Sequence, residues 1–225
     1  MFDSARYRSL QAELAAYPQK PHLMVVSKYV SIEDMALAYA AGVRDFGESR
    51  AQDLALKAAH FCKFPEPVRW HFIGHVQSNK LSKILPLVSS VHSVDRLSLA
   101  ERIVALGGAV IKDASLKLFI EVNLSDEPQK HGFAVSDLEG IEACIKIISR
   151  CPSLFWAGFM GMSSESAPNP QRQLEFEQLA ELKKILAPKY RRSDLMLSMG
   201  MSQDYALALA AGSHVIRVGS LLFSK

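Results

Sequence analysis

Residues 23–46 read LMVVSKYVSIEDMALAYAAGVRDF, and the fold class follows from how this stretch divides. Leu23 to Ser27 is a short apolar run rich in valine, the pattern of a strand buried on both faces. Ile32 to Ala41 carries apolar residues at helical spacing, and Gly42 stands where a helix closes with a C′ glycine. A second short apolar run, Val43 to Phe46, follows directly. Strand, helix, strand within about two dozen residues is the unit of a parallel sheet.

The unit repeats along the whole chain. The Ala/Leu-rich segment from Ser49 to Cys62 is the helix after the second strand. Trp70 to Ile73 is a third strand with a helix after Gln77. Val88 to Val94 is a fourth, with a helix from Leu97 to Leu106 that Gly107 and Gly108 end. Lys117 to Val122 precedes a helix from Ser136 to Ser149, and Leu154 to Phe159 precedes one from Pro170 to Leu186. Leu195 to Ser198 and Val215 to Val218 complete eight strands. Eight strands separated by helices in about 200 residues match a closed (β/α)₈ TIM barrel better than an open doubly wound sheet. Apolar residues at helical spacing within MFDSARYRSLQAELAAYP add an N-terminal helix, and residues 1–225 form one domain, with Ser163 to Pro170 read as a loop.

Composition excludes several classes. A formal net charge of +3, with 26 Lys and Arg against 23 Asp and Glu scattered along the chain, leaves no basic footprint for nucleic acid. No apolar run reaches the roughly 20 residues that span a bilayer, and no signal peptide is visible, so a soluble, cytoplasmic protein is expected. Cys62, Cys144 and Cys151 have no metal or disulfide spacing, which fits a reducing compartment. No HExxH, Cys/His cluster or Walker loop is present, so no metal is expected from local motifs.

In a barrel the C-terminal ends of the strands carry the chemistry. Lys28 directly follows the first strand. An amine beside a desolvating apolar wall is a nucleophile towards aldehydes, whereas a solvated loop lysine would carry no chemistry. Loops after the seventh and eighth strands commonly hold phosphate, and here they contain Ser198-Met-Gly-Met-Ser202 and Arg217-Val-Gly-Ser220. Gly219 admits a close backbone approach, and Ser202 and Ser220 offer hydroxyls. Ser202 also suits a helix N-cap, and Gly219 a simple turn. Gly47, Glu48, Gly74, His75, Asp95, Arg96 and Asn123 end other strands and are assigned no catalysis. His71 and His92 read as hydrogen-bonded core residues.

Ten segments in order resemble the pyridoxal phosphate homeostasis protein family (the YggS/PROSC family): Val25-Val-Ser-Lys28, Phe46-Gly-Glu48, Trp70-His-Phe-Ile-Gly74, Gln77-Ser-Asn-Lys80, His92-Ser-Val-Asp95, Val122-Asn123, Lys130-His-Gly132, Gly158-Phe-Met160, Ser198-Met-Gly-Met-Ser-Gln-Asp204 and Arg217-Val-Gly-Ser220. The resemblance implies a barrel like the N-terminal domain of alanine racemase. It implies pyridoxal 5′-phosphate held as an imine on Lys28, with its phosphate in the last two loops (Ser202, Gly219, Ser220) and Arg217 facing the pyridine nitrogen. It further implies a monomeric carrier or buffer that supplies pyridoxal-phosphate-dependent apoenzymes and has no assigned catalytic activity. Arg217 would keep the ring nitrogen unprotonated and weaken the electron sink, and the second-base domain of alanine racemase is missing from the sequence. The competing readings are a racemase, lyase or decarboxylase acting on amino acids, and a phosphate-binding barrel enzyme using Lys28 without pyridoxal phosphate. Ser49 stands where the family usually has Asn, which puts a cofactor contact there in doubt. Ser224 stands where Gly is common and should matter little.

Overall fold

The computed structural model describes residues 1–111, 116–125, 127 and 130–223, with the side chains of 108–110 outside the description; Ser224 is also outside it. Helix α1 (Ser4–Ala15) comes first, capped by the Asp3 side chain on the Arg6 N–H, with Tyr7, Leu10 and Leu14 buried along one face. Then follow β1 (His22–Val26), α2 (Ile32–Ala40), β2 (Asp45–Glu48), α3 (Ala51–Phe61) and β3 (Arg69–Phe72). A broken helical stretch holds α4 (Leu81–Ile84), followed by β4 (Ser90–Val94), α5 (Leu97–Val110), β5 (Leu116–Asn123) and β6 (Phe133–Ala134). The chain continues through α6 (Leu138–Ile148), β7 (Leu154–Met162), α7 (Asn169–Lys189), β8 (Met196–Ser198), α8 (Tyr205–Ala210) and β9 (Val215–Val218).

All these strands pair in parallel in the order β4-β3-β2-β1-β9-β8-β7-β5, and β4 pairs with β5 to close the ring. The result is the expected eight-stranded (β/α)₈ barrel. β6 is a two-residue addition beside the end of β5, so the seventh and eighth barrel strands are β8 and β9. Outward-facing residues such as Phe46, Leu118, Ile120 and Ile216 join the helices in one large apolar core. Phe119, Ala157 and Met160 form a second, smaller cluster on the inward faces. No helix among the described residues is long and apolar enough to cross a membrane.

Several boundaries differ from the sequence reading. Val43 belongs to the end of α2: its N–H bonds to the Ala38 carbonyl and that of Gly42 to Tyr39, a Schellman ending in which Gly42 takes φ 100° and Val43 is the buried apolar C″ residue. β2 therefore starts two residues later. β4 starts at Ser90, since Val88 closes a 3₁₀ turn containing Pro86. Gly107 and Gly108 do not end α5, which runs on to Val110, because a glycine costs a helix only about 1 kcal/mol. Asn169 and Lys189 extend α7 beyond its expected limits, while the residues between Met162 and Asn169 form the anticipated loop.

Candidate functional site

β1 ends at Val26, and Ser27 to Val30 close a turn through a 3.0 Å bond from the Val30 N–H to the Ser27 carbonyl. Lys28 sits in this turn, followed by Tyr29 in the left-handed region at φ 66°, a costly conformation for a bulky residue. Lys28 is exposed, which corrects the expectation of an apolar wall around its amine.

What holds the turn lies behind it. Ser27 and Glu48 point outward from β1 and β2 towards α3, whose Lys57 is itself buried. The Lys57 ammonium donates to Glu48 Oε1 at 2.6 Å and to the Ser27 carbonyl at 2.8 Å, and the Ser27 hydroxyl donates to the same Glu48 oxygen at 2.6 Å. Glu48 Oε2 is buried with no hydrogen-bond partner among the described residues. A buried ion pair thus grips the backbone one residue before Lys28.

The loops after β8 and β9 lie at the same end of the barrel, on the two strands that succeed β1 around the ring. Ser202 is half-buried, Ser220 exposed, and the Gly219 N–H approaches the Ser202 hydroxyl at 3.4 Å, a long and weak bond. A Cβ on Gly219 would stand 3.0 Å from the Val26 carbonyl, so this loop is pressed against the end of β1. Ser202 is not the N-cap of α8. That position belongs to Asp204, whose carboxylate is turned back to accept from the Met201 N–H at 2.6 Å and the Ser163 hydroxyl at 2.7 Å. The Ser202 hydroxyl is therefore left facing Gly219.

Arg217 points into the barrel and is buried. Its guanidinium donates to the Ser198 carbonyl (2.6 Å), the Ser198 hydroxyl (2.8 Å) and the Gly161 carbonyl (3.1 Å), which uses three of five N–H donors. Burial draws its pKa down to about 10, opposed by Glu121 and Asp204, so it stays cationic at neutral pH. From Ser198 a hydrogen-bonded chain crosses the barrel: Ser198 to His92 Nδ1 (2.8 Å), His92 Nε2 to Ser90 (2.7 Å), Ser90 to His71 Nδ1 (2.7 Å) and His71 Nε2 to Asp45 (3.0 Å). Because Arg217 only donates, the Ser198 hydroxyl passes its hydrogen to His92. His92, kept neutral by burial, then donates from Nε2 to Ser90, and the Ser90 and His71 side chains carry the contacts on to Asp45. Burial holds His92 well below the usual histidine range, in keeping with its place in this chain. His92 is thus the hydrogen-bonded core residue that the sequence suggested, while His71 is hydrogen-bonded but half-buried at the cavity.

The chain ends at a cavity of about 640 Å³ at the opposite end of the barrel, lined by Asp45, Arg69, His71, Ser90 and Lys117 among others. Burial alone would raise the Asp45 carboxyl. Hydrogen bonds from His71 and Arg69, and their charges, outweigh it and hold this group well below the usual carboxylate range. A depressed folded-state pKa contributes stability above the unfolded value of about 4 that is lost as pH falls through and below it. Asp45→Asn should therefore flatten the acid limb of the stability curve below about pH 4. Denaturant melts from pH 7 downward would show this, and parallel curves for the two proteins would contradict the assignment.

Glu121 was missed in the sequence because it is one polar residue within an apolar strand. It faces inward, and burial, with a smaller push from Asp95 against the pull of Arg217, raises its pKa to about 7. Lys57 was missed because helical spacing makes it look solvated. Ser49 lies after β2, with its backbone 2.2 Å from where a Cβ on Gly74 would stand.

No family model matches the chain. A curated protein of Vibrio alginolyticus called pyridoxal phosphate homeostasis protein is 36% identical over 208 residues, covering 92% of this chain and 87% of its own. Among solved structures, PipY of Synechococcus elongatus with pyridoxal phosphate bound is 32% identical, with a TM-score of 0.86 over 98% of this chain and 99% of that one. Alanine racemase of Corynebacterium glutamicum shares the fold, with a TM-score of 0.68 at 12% identity, covering 97% of this chain and 59% of its own.

Proposed function

Because the chain belongs to the pyridoxal phosphate homeostasis protein family, we propose that it binds pyridoxal 5′-phosphate and helps to keep the intracellular pool of that cofactor balanced, as a carrier or buffer. The observation that carries this reading is the exposed amine of Lys28 beside two loops whose donors are weakly engaged. When bound, the cofactor supplies an aldehyde that condenses with a primary amine.

The residues present fit the group. Gly219 is a cradle that a Cβ would fill, and its N–H, with the Ser202 and Ser220 hydroxyls, offers neutral donors to a phosphate. Arg217 keeps two N–H donors without a hydrogen-bond partner among the described residues, and these are the groups available to a ring nitrogen. A fixed cation there disfavours protonation of that nitrogen, which argues for holding the cofactor over carbanion chemistry. We read the protein as cytoplasmic and monomeric, passing its cofactor to apoenzymes. Free Cys62, Cys144 and Cys151 are consistent with a reducing compartment.

Titration with pyridoxal phosphate and with unphosphorylated pyridoxal tests the reading. Charge-assisted hydrogen bonds are worth roughly 1.5–3 kcal/mol each, so the phosphate should improve Kd by at least about tenfold. Ser202→Ala combined with Ser220→Ala should narrow the gap. Equal binding of the two ligands by the wild type would exclude these loops as the phosphate site.

A further inference from the structure

Across the barrel mouth from Lys28, on the side built by β3, β4 and β5, three side chains from separate segments converge. His75 follows β3, Asp95 follows β4, and His131 lies between β5 and β6. His75 Nδ1 is 3.0 Å from Asp95 Oδ2, and His131 Nδ1 is 3.8 Å from the same oxygen. The two imidazoles stack with centroids 4.0 Å apart and planes 22° from parallel. One ligating atom from each of the three residues lies within 4.8 Å of the others.

From these residues we infer a divalent transition-metal site of the zinc class at His75, Asp95 and His131. A 3.8 Å separation is too long for a hydrogen bond, so the carboxylate does not satisfy the second ring. Around a tetrahedral zinc ion, with metal–ligand bonds of about 2.0–2.2 Å, neighbouring ligand atoms stand about 3.3–3.6 Å apart, and the separations of 3.0 and 3.8 Å from Asp95 fall on either side of that range. Two nitrogens and one carboxylate oxygen suit zinc, cobalt or iron(II), not the all-oxygen preference of magnesium or calcium.

The surroundings are those of a held site. Asp95 is buried, and its other oxygen accepts from Arg96 at 2.5 Å, which fixes the carboxylate as outer-shell partners do at metal centres. Each histidine adjoins a glycine that its neighbours leave no room to replace. A Cβ on Gly74 would stand 2.2 Å from the Ser49 carbonyl, and one on Gly132, at φ 113°, would stand 2.9 Å from both the Asn123 nitrogen and the Glu121 carbonyl. The Gly74 carbonyl also accepts from the Ser93 hydroxyl at 2.6 Å. The backbone therefore sets both rings. Both imidazoles are exposed on their outer sides, so a bound ion would keep open positions towards solvent, the arrangement of a reactive centre and not of a closed structural one.

The test uses the full chain, stripped of metal with a chelator and titrated with Co²⁺ and Zn²⁺ by calorimetry, with the visible cobalt absorption as a second readout. One equivalent should bind, and His75→Ala and His131→Ala should each weaken binding at least tenfold. Both positions are exposed, so these variants should keep their fold, with circular dichroism as the check. Wild-type affinity in either variant, or no saturable binding below millimolar metal, overturns the site. Lys28→Ala should bind Co²⁺ as the wild type does. Loss of binding there, with both histidines intact, would put the metal on the cofactor and also overturn it.

Discussion

Lys28→Ala is expected to abolish covalent capture of pyridoxal phosphate while leaving the melting temperature almost unchanged. The side chain is exposed in a turn whose geometry is fixed by its neighbours: Ser27 through Glu48 and Lys57, and Val30 through the Ser27 carbonyl. Exposed substitutions away from caps and special backbone conformations stay within about 0.5 kcal/mol, so the loss of binding cannot be blamed on unfolding. In the wild type, borohydride reduction followed by peptide mass analysis should place the pyridoxyl group on Lys28. A label carried only by another lysine would sink the assignment, as would an imine absorption that survives in Lys28→Ala. Affinity for the phosphate alone should persist in the variant, because the loops after β8 and β9 are untouched.

The alternation of strand and helix was legible because every barrel strand is buried on its outward face, and a valine- or phenylalanine-rich run records that directly. Misplacements fell where an apolar residue serves something other than a strand. Val43 is apolar because a Schellman ending buries its C″ residue, and only the glycine before it is visible in sequence. For the proposed site, Lys28, Ser202, Gly219 and Ser220 could be singled out because they stand at strand ends and in small-residue loops. Their supports could not. Glu48 and Lys57 are nine residues apart on different elements, and a 2.6 Å bond between them exists only after α3 packs on β2. His75, Asp95 and His131 are separated by 20 and 36 positions, spacings that match no local metal motif; the closed barrel brings them together. Sequence shows which residues are unusual for their place, and tertiary closure decides which of them meet.

The largest stability effect should come from Lys57→Ala. This change leaves Glu48, fully buried, without the cation that compensates its charge, and it also frees the Ser27 carbonyl. Removing one partner of a buried ion pair costs about 3–5 kcal/mol. For a chain of this size that is a fall of roughly 6–20 °C in melting temperature, at about 2–4 °C per kcal/mol. A paired replacement, Lys57→Met with Glu48→Leu, removes both charges and keeps most of the volume, and buried pairs replaced in this way are commonly neutral or stabilising. Stability should therefore recover in the double variant. Imine formation should not recover with it, because no ammonium then holds the Ser27 carbonyl and Lys28 loses its fixed turn. Calorimetry gives the first quantity, and the rate of imine formation at saturating cofactor gives the second. A shift of under 2 °C in Lys57→Ala would mean that water reaches the pair. Wild-type capture by a stable double variant would mean that the pair serves packing alone, and that the left-handed Tyr29 turn orients Lys28 unaided.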